Sequence, residues 1–541
     1  MDFTLITPRT PQESRDRLST YLLGIFFGGV FLILGIFFRF ANLDRRMYWH
    51  DEALTSLRAS GYSRAEVLSL LNDDAEISVR SLLDYQRPGP GTNILDTLNV
   101  AVTDAPLHPP LYYLLSRFWM DIVGYSPRAM RSLAAVISIL ALPGMYWLTM
   151  ELFGSRRTAV FATALIWVSP IQVLFAREAR QYSLWVVATL FASASLLYAL
   201  RVQSKSSWVL FFASTTIGFY THLFYGFVAL AHGLYVLIIV WVPSGRRILF
   251  NKSFLGYFYS SLAALLTFTP WIIVLTRDRS EITEAVPWAS VEIPFESYIQ
   301  TLVSRYTGVF VDLYPFSVSI KLLVVLPSVV LITYSIYFLW RKEPKERWLF
   351  ILLPSGITII SLTALDLILG GFRSVVARYL VPCFIGIQLL VAYFLARQTA
   401  DSKSWQQMFW RLVTLALFAV GILSNILIVQ AETWWDKGND FIYPQTIQVI
   451  SNAEAPLLII DGQQEVHFGY LLAFAHEFPA HVNVKWMTTT ISKIHGQYSD
   501  IFLYQAIPGS TEVLNAWQEY HIRNLIPGHL WRLTEEAHAQ N

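Results

Sequence analysis

The chain has 541 residues, of which 54% are hydrophobic and 15% aromatic while only 14% are charged, and its formal net charge is +2. A soluble protein of this length needs a more charged surface, so the composition points into a membrane. The basic residues fall in short scattered clusters, which excludes a face tracking a phosphate backbone and sets nucleic acid aside as a partner. The single cysteine, Cys383, sits in an apolar run, so no disulfide closes within the chain and any part outside the membrane is held by packing.

A helix needs roughly 20 apolar residues to cross the hydrocarbon core. Runs of about that length lie at 20–40, 131–153, 157–175, 182–200, 207–221, 223–242, 254–275, 319–340, 348–369, 379–396 and 411–430. They predict an α-helical polytopic membrane protein of about eleven transmembrane helices. None of them alternates in polarity as a membrane barrel strand does. The first run is long for a signal h-region and has no small-residue cleavage site before Arg45, so it reads as a spanning helix. Only the turn at Thr221 and His222 divides 207–221 from 223–242.

Basic residues in the short loops set the orientation. With Arg9, Arg15 and Arg17 in the cytoplasm, the same side holds Arg156 and Arg157, Arg201 and Lys205, Arg246, Arg247 and Lys252. It also holds Arg341, Lys342, Lys345 and Arg347, then Arg397 and Lys403. Alternate turns carry fewer positive charges. The C-terminus is then expected outside, and so are two long loops, 44–130 and 276–318.

The chain divides into a transmembrane domain, 1–430, and a small C-terminal extracytoplasmic α/β domain, 431–541. In the latter, strands are expected at 456–461, 482–487, 500–504 and 529–533. Helices are expected at 465–478 and, capped by Ser510, at 511–520. Strands alternating with helices suggest a compact α/β layer. It contains no glycine-rich phosphate loop, and its expected role is a lid or docking surface.

Candidate chemistry lies outside the spans. Trp49, His50, Asp51 and Glu52 follow the first span, and an acid pair at the membrane surface is costly unless it is hydrated or employed. A solvated pair beside an interfacial aromatic belt is the plain alternative. Neighbouring residues face different ways, so at most one of the two acids is central. At 107–115, His108 and two prolines open an amphipathic helix that carries Tyr112, which architecture alone also explains. At 176–183, where Gln181 and Tyr182 also lie, Arg177, Glu178 and Arg180 break the positive-inside trend. Arg177 and Arg180 stand three apart, on one face of a helix, and paired guanidiniums suit a phosphate. The alternative is a local ion pair with Glu178. Arg373, Arg378 and Tyr379 form a fourth group at the start of a span, where an arginine can also simply snorkel. His222 occupies an outside turn, and a structural role is the plain reading for a lone histidine.

These motifs, taken together and in this order, resemble the bacterial branch of the C-type glycosyltransferases. That branch is similar to the protein O-mannosyltransferases and the lipid A aminoarabinose transferase (glycosyltransferase family 39-like). The resemblance spans roughly 15–430. It implies a C-type glycosyltransferase fold and inverting transfer of a monosaccharide from a polyprenyl-phosphate donor. The acceptor would be a lipid, polysaccharide or protein on the non-cytoplasmic face of a bacterial inner membrane. Asp51 matches the family's general base and Glu178 its second acid, with Glu52 beside them. Arg177, Arg180 and Arg378 match its phosphate-binding groups, and His108, Tyr112, Tyr182, His222 and Tyr379 line the substrate. Some relatives bind a divalent metal near the acids. Here His50, His108 and His222 could contribute, and the sequence leaves that open.

The main rival is a multi-pass lipid or glycolipid transporter or flippase without transferase chemistry. It requires ionisable groups deep in the spans and matched broken helices near the midplane. Asp366 is the main deep candidate, and Pro143, Pro270 and Pro327 do not fall in matching halves. A non-catalytic assembly scaffold is the third possibility; it would expose the tail to partners.

Overall fold

The computed structural model describes residues 28–535 apart from 72–74, 242–250, 278–290, 292, 315, 317, 402–403, 436–441, 463–464, 488–493, 495 and 506–519. Every expected apolar run coincides with helix within those residues, the first from Gly28. Among the described residues, seven helices are long and apolar enough to cross a membrane, or eight if one bent pair counts as a single span. Gly28–Phe40 and Tyr225–Val240 are shorter apolar helices. The protein is a multi-pass membrane protein. The uncertain divide does occur: Lys205–Thr221 ends at His222, and the next helix begins at Tyr225.

Burial separates central from peripheral spans. The most apolar stretch of Val381–Ala400 is 89% buried and that of Tyr182–Val202 is 78% buried, against 22% for Lys252–Arg277 and Lys345–Leu369. The first two therefore form the bundle's axis and the latter two its lipid-facing wall. The bent pair is Arg156–Val168 and Pro170–Ala176, which meet at 58°. Pro170 lacks the amide that would continue the helix and takes the first position of the new one. The carbonyl of Val168 that the break frees accepts from Asn425 Nδ2 at 2.8 Å, and Ser169 Oγ donates to the carbonyl of Val309 at 2.6 Å. An unpaired carbonyl in hydrocarbon costs several kcal/mol, so those partners are what allow the bend. The bend aims the turn after Ala176 at the C-terminal end of the first helix.

The loop after the first span folds into helices His50–Ser60 and Arg64–Leu71, a short strand and a 3-10 turn, then helices Ile94–Asp104 and Leu111–Val123. Gly61 separates the first two with a left-handed backbone at φ +84° that a side chain would strain.

The C-terminal part contains a six-stranded sheet of order β1-β3-β2-β4-β6-β5. Its strands are β1 (Ile77–Ser78), β2 (Pro456–Asp461), β3 (Asn483–Met487), β4 (Asp500–Tyr504), β5 (Tyr520–Ile526) and β6 (Leu530–Glu535). β2 pairs in parallel with β3 and β4, while β1 on β3, β6 on β4 and β5 on β6 run antiparallel. Helix Glu465–Glu477 makes the crossover from β2 to β3. The expected strands and the first expected helix thus form an α/β layer. The helix expected at 511–520 lies outside the described residues as far as 519, and residue 520 already belongs to β5.

Three features were not anticipated. Helix Ile442–Ser451 precedes the sheet, β5 lies where no strand was expected, and β1 comes from the loop after the first span, more than 370 residues earlier in the chain. The loop and the C-terminal part also share one apolar core, in which Tyr48, Ala53 and Leu57 pack with Phe468, Leu472 and Phe474. A division at 430 therefore marks where the spans end, while folding joins 44–86 to the C-terminal part.

Candidate active site

Helix His50–Ser60 starts with two acids whose environments differ sharply. Glu52 accepts from the backbone N–H of Trp49 at 3.1 Å, the reach-back of a third-position acid that caps a helix start. It also forms a two-toothed ion pair with Arg131, at 2.8 and 2.7 Å, and accepts from Ala179 N at 2.8 Å. Its side chain is 0% exposed. Glu52 ties the first loop to the helix Pro127–Ile139 and to the turn after Ala176, and every lone pair it has is engaged structurally.

Asp51 points the other way and is 20% exposed. Around its carboxylate stand Arg180 Nη2 at 3.9 Å, Arg378 Nη1 at 3.9 Å and His50 Nε2 at 4.0 Å. These groups come from the first loop, the turn before Tyr182 and the turn before Val381, so the fold brings together three separated stretches. Burial alone would raise the carboxyl pKa; Arg180, His50 and Arg378 outweigh it and hold it well below the usual carboxylate range.

Arg180 is held in place by acceptors. It donates to Thr55 Oγ1 at 3.1 Å and to the carbonyl of Asp51 at 3.4 Å, and it meets His108 Nε2 at 3.1 Å. An arginine only donates, so His108 Nε2 is the acceptor and that imidazole is neutral. Burial, reinforced by Arg180 and Arg58, takes its pKa well below the ordinary imidazole range. His108 therefore orients Arg180 and needs no proton to do so. Arg58 donates to Tyr113 Oη at 3.2 Å and to the carbonyl of Asp104 at 3.2 Å on the same side.

Arg177 goes elsewhere. Residues 177–180 form a turn between two helices, in which Arg180 N donates to the carbonyl of Glu178 at 2.7 Å. The three-residue spacing consequently gives no shared helical face, and the two guanidiniums diverge. Arg177 donates to the carbonyls of Phe38, Ala41 and Asn42 at 3.0, 2.5 and 2.9 Å, capping the C-terminal end of the first helix. Glu178 is buried in that turn, near Tyr112 and Tyr182. Tyr112 is buried beside Arg180, and among the described residues its hydroxyl has no hydrogen-bond partner.

His222 stacks flat on Trp185, with ring centres 4.2 Å apart and planes 6° from parallel. Its Nδ1 accepts from Phe224 N at 3.1 Å, which leaves the proton on Nε2. Burial first, then Arg180 and Arg378, push its pKa down to about 3. Phe224 meets the ring of Tyr379 edge-on at 4.7 Å, and His222 is 6.5 Å from the same ring. Tyr182 lies with its ring 6.0 Å from the Arg180 guanidinium. An aromatic wall thus flanks the two arginines.

Asp366, the deep acid of the transporter alternative, is spent on architecture. It accepts from Arg373 N at 2.7 Å and from Ser374 N and Oγ at 2.8 and 2.6 Å, folding the turn that leads to Arg378. Three participants escaped the sequence reading: Arg131, Arg58 and Trp185. Arg131 opens an apolar run, the same signal that singled out Arg378. Trp185 gave no signal, being one aromatic among many in a span.

The ring of charges suits an anion. Two guanidiniums beside a single carboxylate disfavour a dication there, and His108 is turned onto Arg180. Among the described residues no three of His, Cys, Asp and Glu converge as a ligand set. The residues round Asp51 therefore do not fit the divalent metal of some relatives.

A family model described as dolichyl-phosphate-mannose-protein mannosyltransferase matches residues 107–274. That stretch includes His108, Arg180 and His222. No curated protein sequence is close enough to register as a relative. Among solved structures, ArnT from Cupriavidus metallidurans bound to undecaprenyl phosphate superposes with a TM-score of 0.53 at 14% identity, over 95% of this chain and 98% of that one. The chain has the C-type glycosyltransferase fold. The same protein in the apo state gives a TM-score of 0.53 at 12% identity, covering 94% of this chain and 98% of the other. In this chain the loop after the first span and the C-terminal sheet share one core beside the helix that carries Asp51 and its charged ring.

Proposed function

We propose that this protein transfers a monosaccharide, with inversion, from a polyprenyl-phosphate donor to an acceptor on the non-cytoplasmic face of a bacterial inner membrane. The observation that carries the reading is Asp51 flanked at 3.9 Å by both Arg180 and Arg378. ArnT, of the same fold, binds undecaprenyl phosphate, which supports a polyprenyl phosphate as the donor's carrier. The N-terminus is cytoplasmic and the C-terminal domain extracytoplasmic by the distribution of loop arginines and lysines.

Asp51 takes the proton of an acceptor hydroxyl. The acceptor oxygen bonds to the anomeric carbon while the bond from that carbon to the phosphate oxygen breaks on the opposite face. Polyprenyl phosphate leaves with the electron pair, and Arg180 and Arg378 stabilise the charge that develops on it. Without donor, these arginines face Asp51 and make it a weak base. A bound phosphate draws them toward itself and raises the basicity of Asp51, so the base strengthens when there is something to transfer. His108 fixes Arg180, the wall of His222, Trp185 and Tyr379 borders the donor, and Glu52 with Arg131 fixes the helix that carries Asp51.

The test is Asp51→Asn in the purified full-length protein, assayed with radiolabelled undecaprenyl-phosphate hexoses and pentoses. Loss of the general base lowers turnover by about 10²- to 10⁴-fold, with folding unchanged. Wild-type turnover in that variant removes the mechanism. A transporter predicts that Asp51→Asn changes uptake or flipping with no glycosidic product formed by either protein.

A further inference from the structure

Asp51 does not stand on the membrane domain alone. The ring of the preceding residue, His50, sits between Trp49, at 4.1 Å, and Tyr470, which meets it edge-on at 4.8 Å. Its Nε2 is the group 4.0 Å from Asp51 Oδ1. Tyr470 belongs to helix Glu465–Glu477 of the C-terminal sheet domain. One residue earlier on that helix, Gly469 is buried, and a Cβ added there would come within 2.9 Å of His50 Cβ and 3.3 Å of Leu54 Cδ1. The helix backbone at Gly469 lies directly against the side-chain bases of His50 and Leu54 on the helix that carries Asp51, and only glycine permits that approach.

The same clasp continues at its edges. Glu477 Oε1 accepts from Tyr48 N at 3.2 Å, and the ring of His476 meets that of Tyr48 edge-on at 4.7 Å. Gln86 Nε2 donates to the carbonyl of Leu472 at 2.9 Å, Arg80 Nε donates to that of Phe478 at 3.1 Å, and β1 pairs with β3. Segments on both sides of Asp51 in sequence are thus fastened to this helix and the residues that follow it, more than 370 residues later in the chain.

We infer that the C-terminal domain positions the base: helix Glu465–Glu477, through Gly469 and Tyr470, holds His50 and thereby fixes Asp51 opposite Arg180 and Arg378. Gly469 and Tyr470 are positioning residues that touch no substrate. This rests on the reading of Asp51 as the base. It replaces the expected lid or docking role with a mechanical one, and it explains why a loop strand is built into a sheet at the other end of the chain.

Gly469→Ala is the sharp probe. It adds one methyl at a helix interior position, where alanine raises helix propensity, yet it pushes on Cβ of His50, which cannot swing away as a side-chain tip would. Displacements of this kind cost on the order of 10- to 100-fold in turnover. The experiment measures kcat, donor KM and thermal stability of the full-length protein, using the undecaprenyl-phosphate monosaccharide that the wild type turns over fastest. Gly469→Ala and Tyr470→Ala are expected to lose about 10- to 100-fold in kcat with donor KM within about twofold. Tyr470→Phe, which keeps the ring against His50, is expected to stay near wild type. If Asp51→Asn is inactive while Gly469→Ala and Tyr470→Ala both keep kcat within twofold, the positioning inference alone is overturned. A loss in both variants that tracks a fall in thermal stability, with Tyr470→Phe as poor as Tyr470→Ala, overturns it in favour of a purely structural contact. Full activity of Asp51→Asn overturns the reading on which it rests.

Discussion

Replacing Glu52 with alanine separates the two neighbouring acids by what each does. Glu52 is fully buried and pairs with an Arg131 side chain that is 3% exposed. The arginine also donates to the carbonyls of Leu43, Arg46 and Met47 at 2.6 to 2.7 Å, so it has no room to leave. Removing one member of such a pair strands the other charge and costs about 3–5 kcal/mol. The Ala179 and Trp49 amides lose their acceptor too, at about 1 kcal/mol or more each where water cannot replace it. A net loss of roughly 5–7 kcal/mol is a large share of a typical folding stability. The assay is thermal or denaturant unfolding of detergent-purified Glu52→Ala beside Asp51→Asn. The first is expected to be strongly destabilised, and the second to fold as the wild type does while failing to transfer. Glu52→Ala with unchanged stability would refute the reasoning, because it would mean that the buried pair holds nothing in place.

Three further outcomes follow from the same geometry. The carboxylate of Asp51 has a pKa held down by its arginines, so it stays charged until pH falls through that lowered value. The acid limb of kcat/KM, which reports the free protein, should lie below the ordinary carboxylate range, and Arg180→Gln should move it upward. The acid limb of kcat, which reports the donor complex, should lie above that of kcat/KM, because bound phosphate competes for the same guanidiniums. Asn425→Leu should leave the Val168 carbonyl without its donor at the 58° bend, lowering stability by about 1–3 kcal/mol in an unfolding assay.

Much of the architecture was legible in hydropathy because membrane spanning imposes a long uniform signal: the apolar runs coincide with helices, and even the thin divide at His222 is real. Four strands of the tail were legible for the opposite reason, being short buried runs between polar turns, as at Pro456–Asp461, whereas β5 at Tyr520–Ile526, mixed polar and apolar, was not. What stayed hidden was long-range pairing. Nothing in Ile77–Ser78 marks it as an edge strand beside Asn483–Met487, since a two-residue strand has no period to detect. At the site, residue type and side of the membrane singled out Asp51, Arg180 and Arg378, which the fold gathers. Spacing misled for Arg177, because a three-residue interval means a shared face only inside a helix and this one falls in a turn. Residue type and spacing could not rank Glu52 and Asp51, and only the family resemblance favoured Asp51; the physical difference lies in Arg131, a partner of Glu52 79 positions away.

The central claim is that Arg180 and Arg378 form a phosphate site which Asp51 faces. The most direct measurement is the affinity of the detergent-solubilised full-length protein for undecaprenyl phosphate, compared among wild type, Arg378→Ala and Asp51→Asn. A charge-assisted guanidinium contact contributes about 1.5–3 kcal/mol, so Arg378→Ala should weaken binding by about 10- to 150-fold. Asp51→Asn removes the negative charge competing for both arginines, and it should bind the lipid phosphate as tightly as the wild type or more so. Undiminished binding by Arg378→Ala, or loss of binding in Asp51→Asn, contradicts the account.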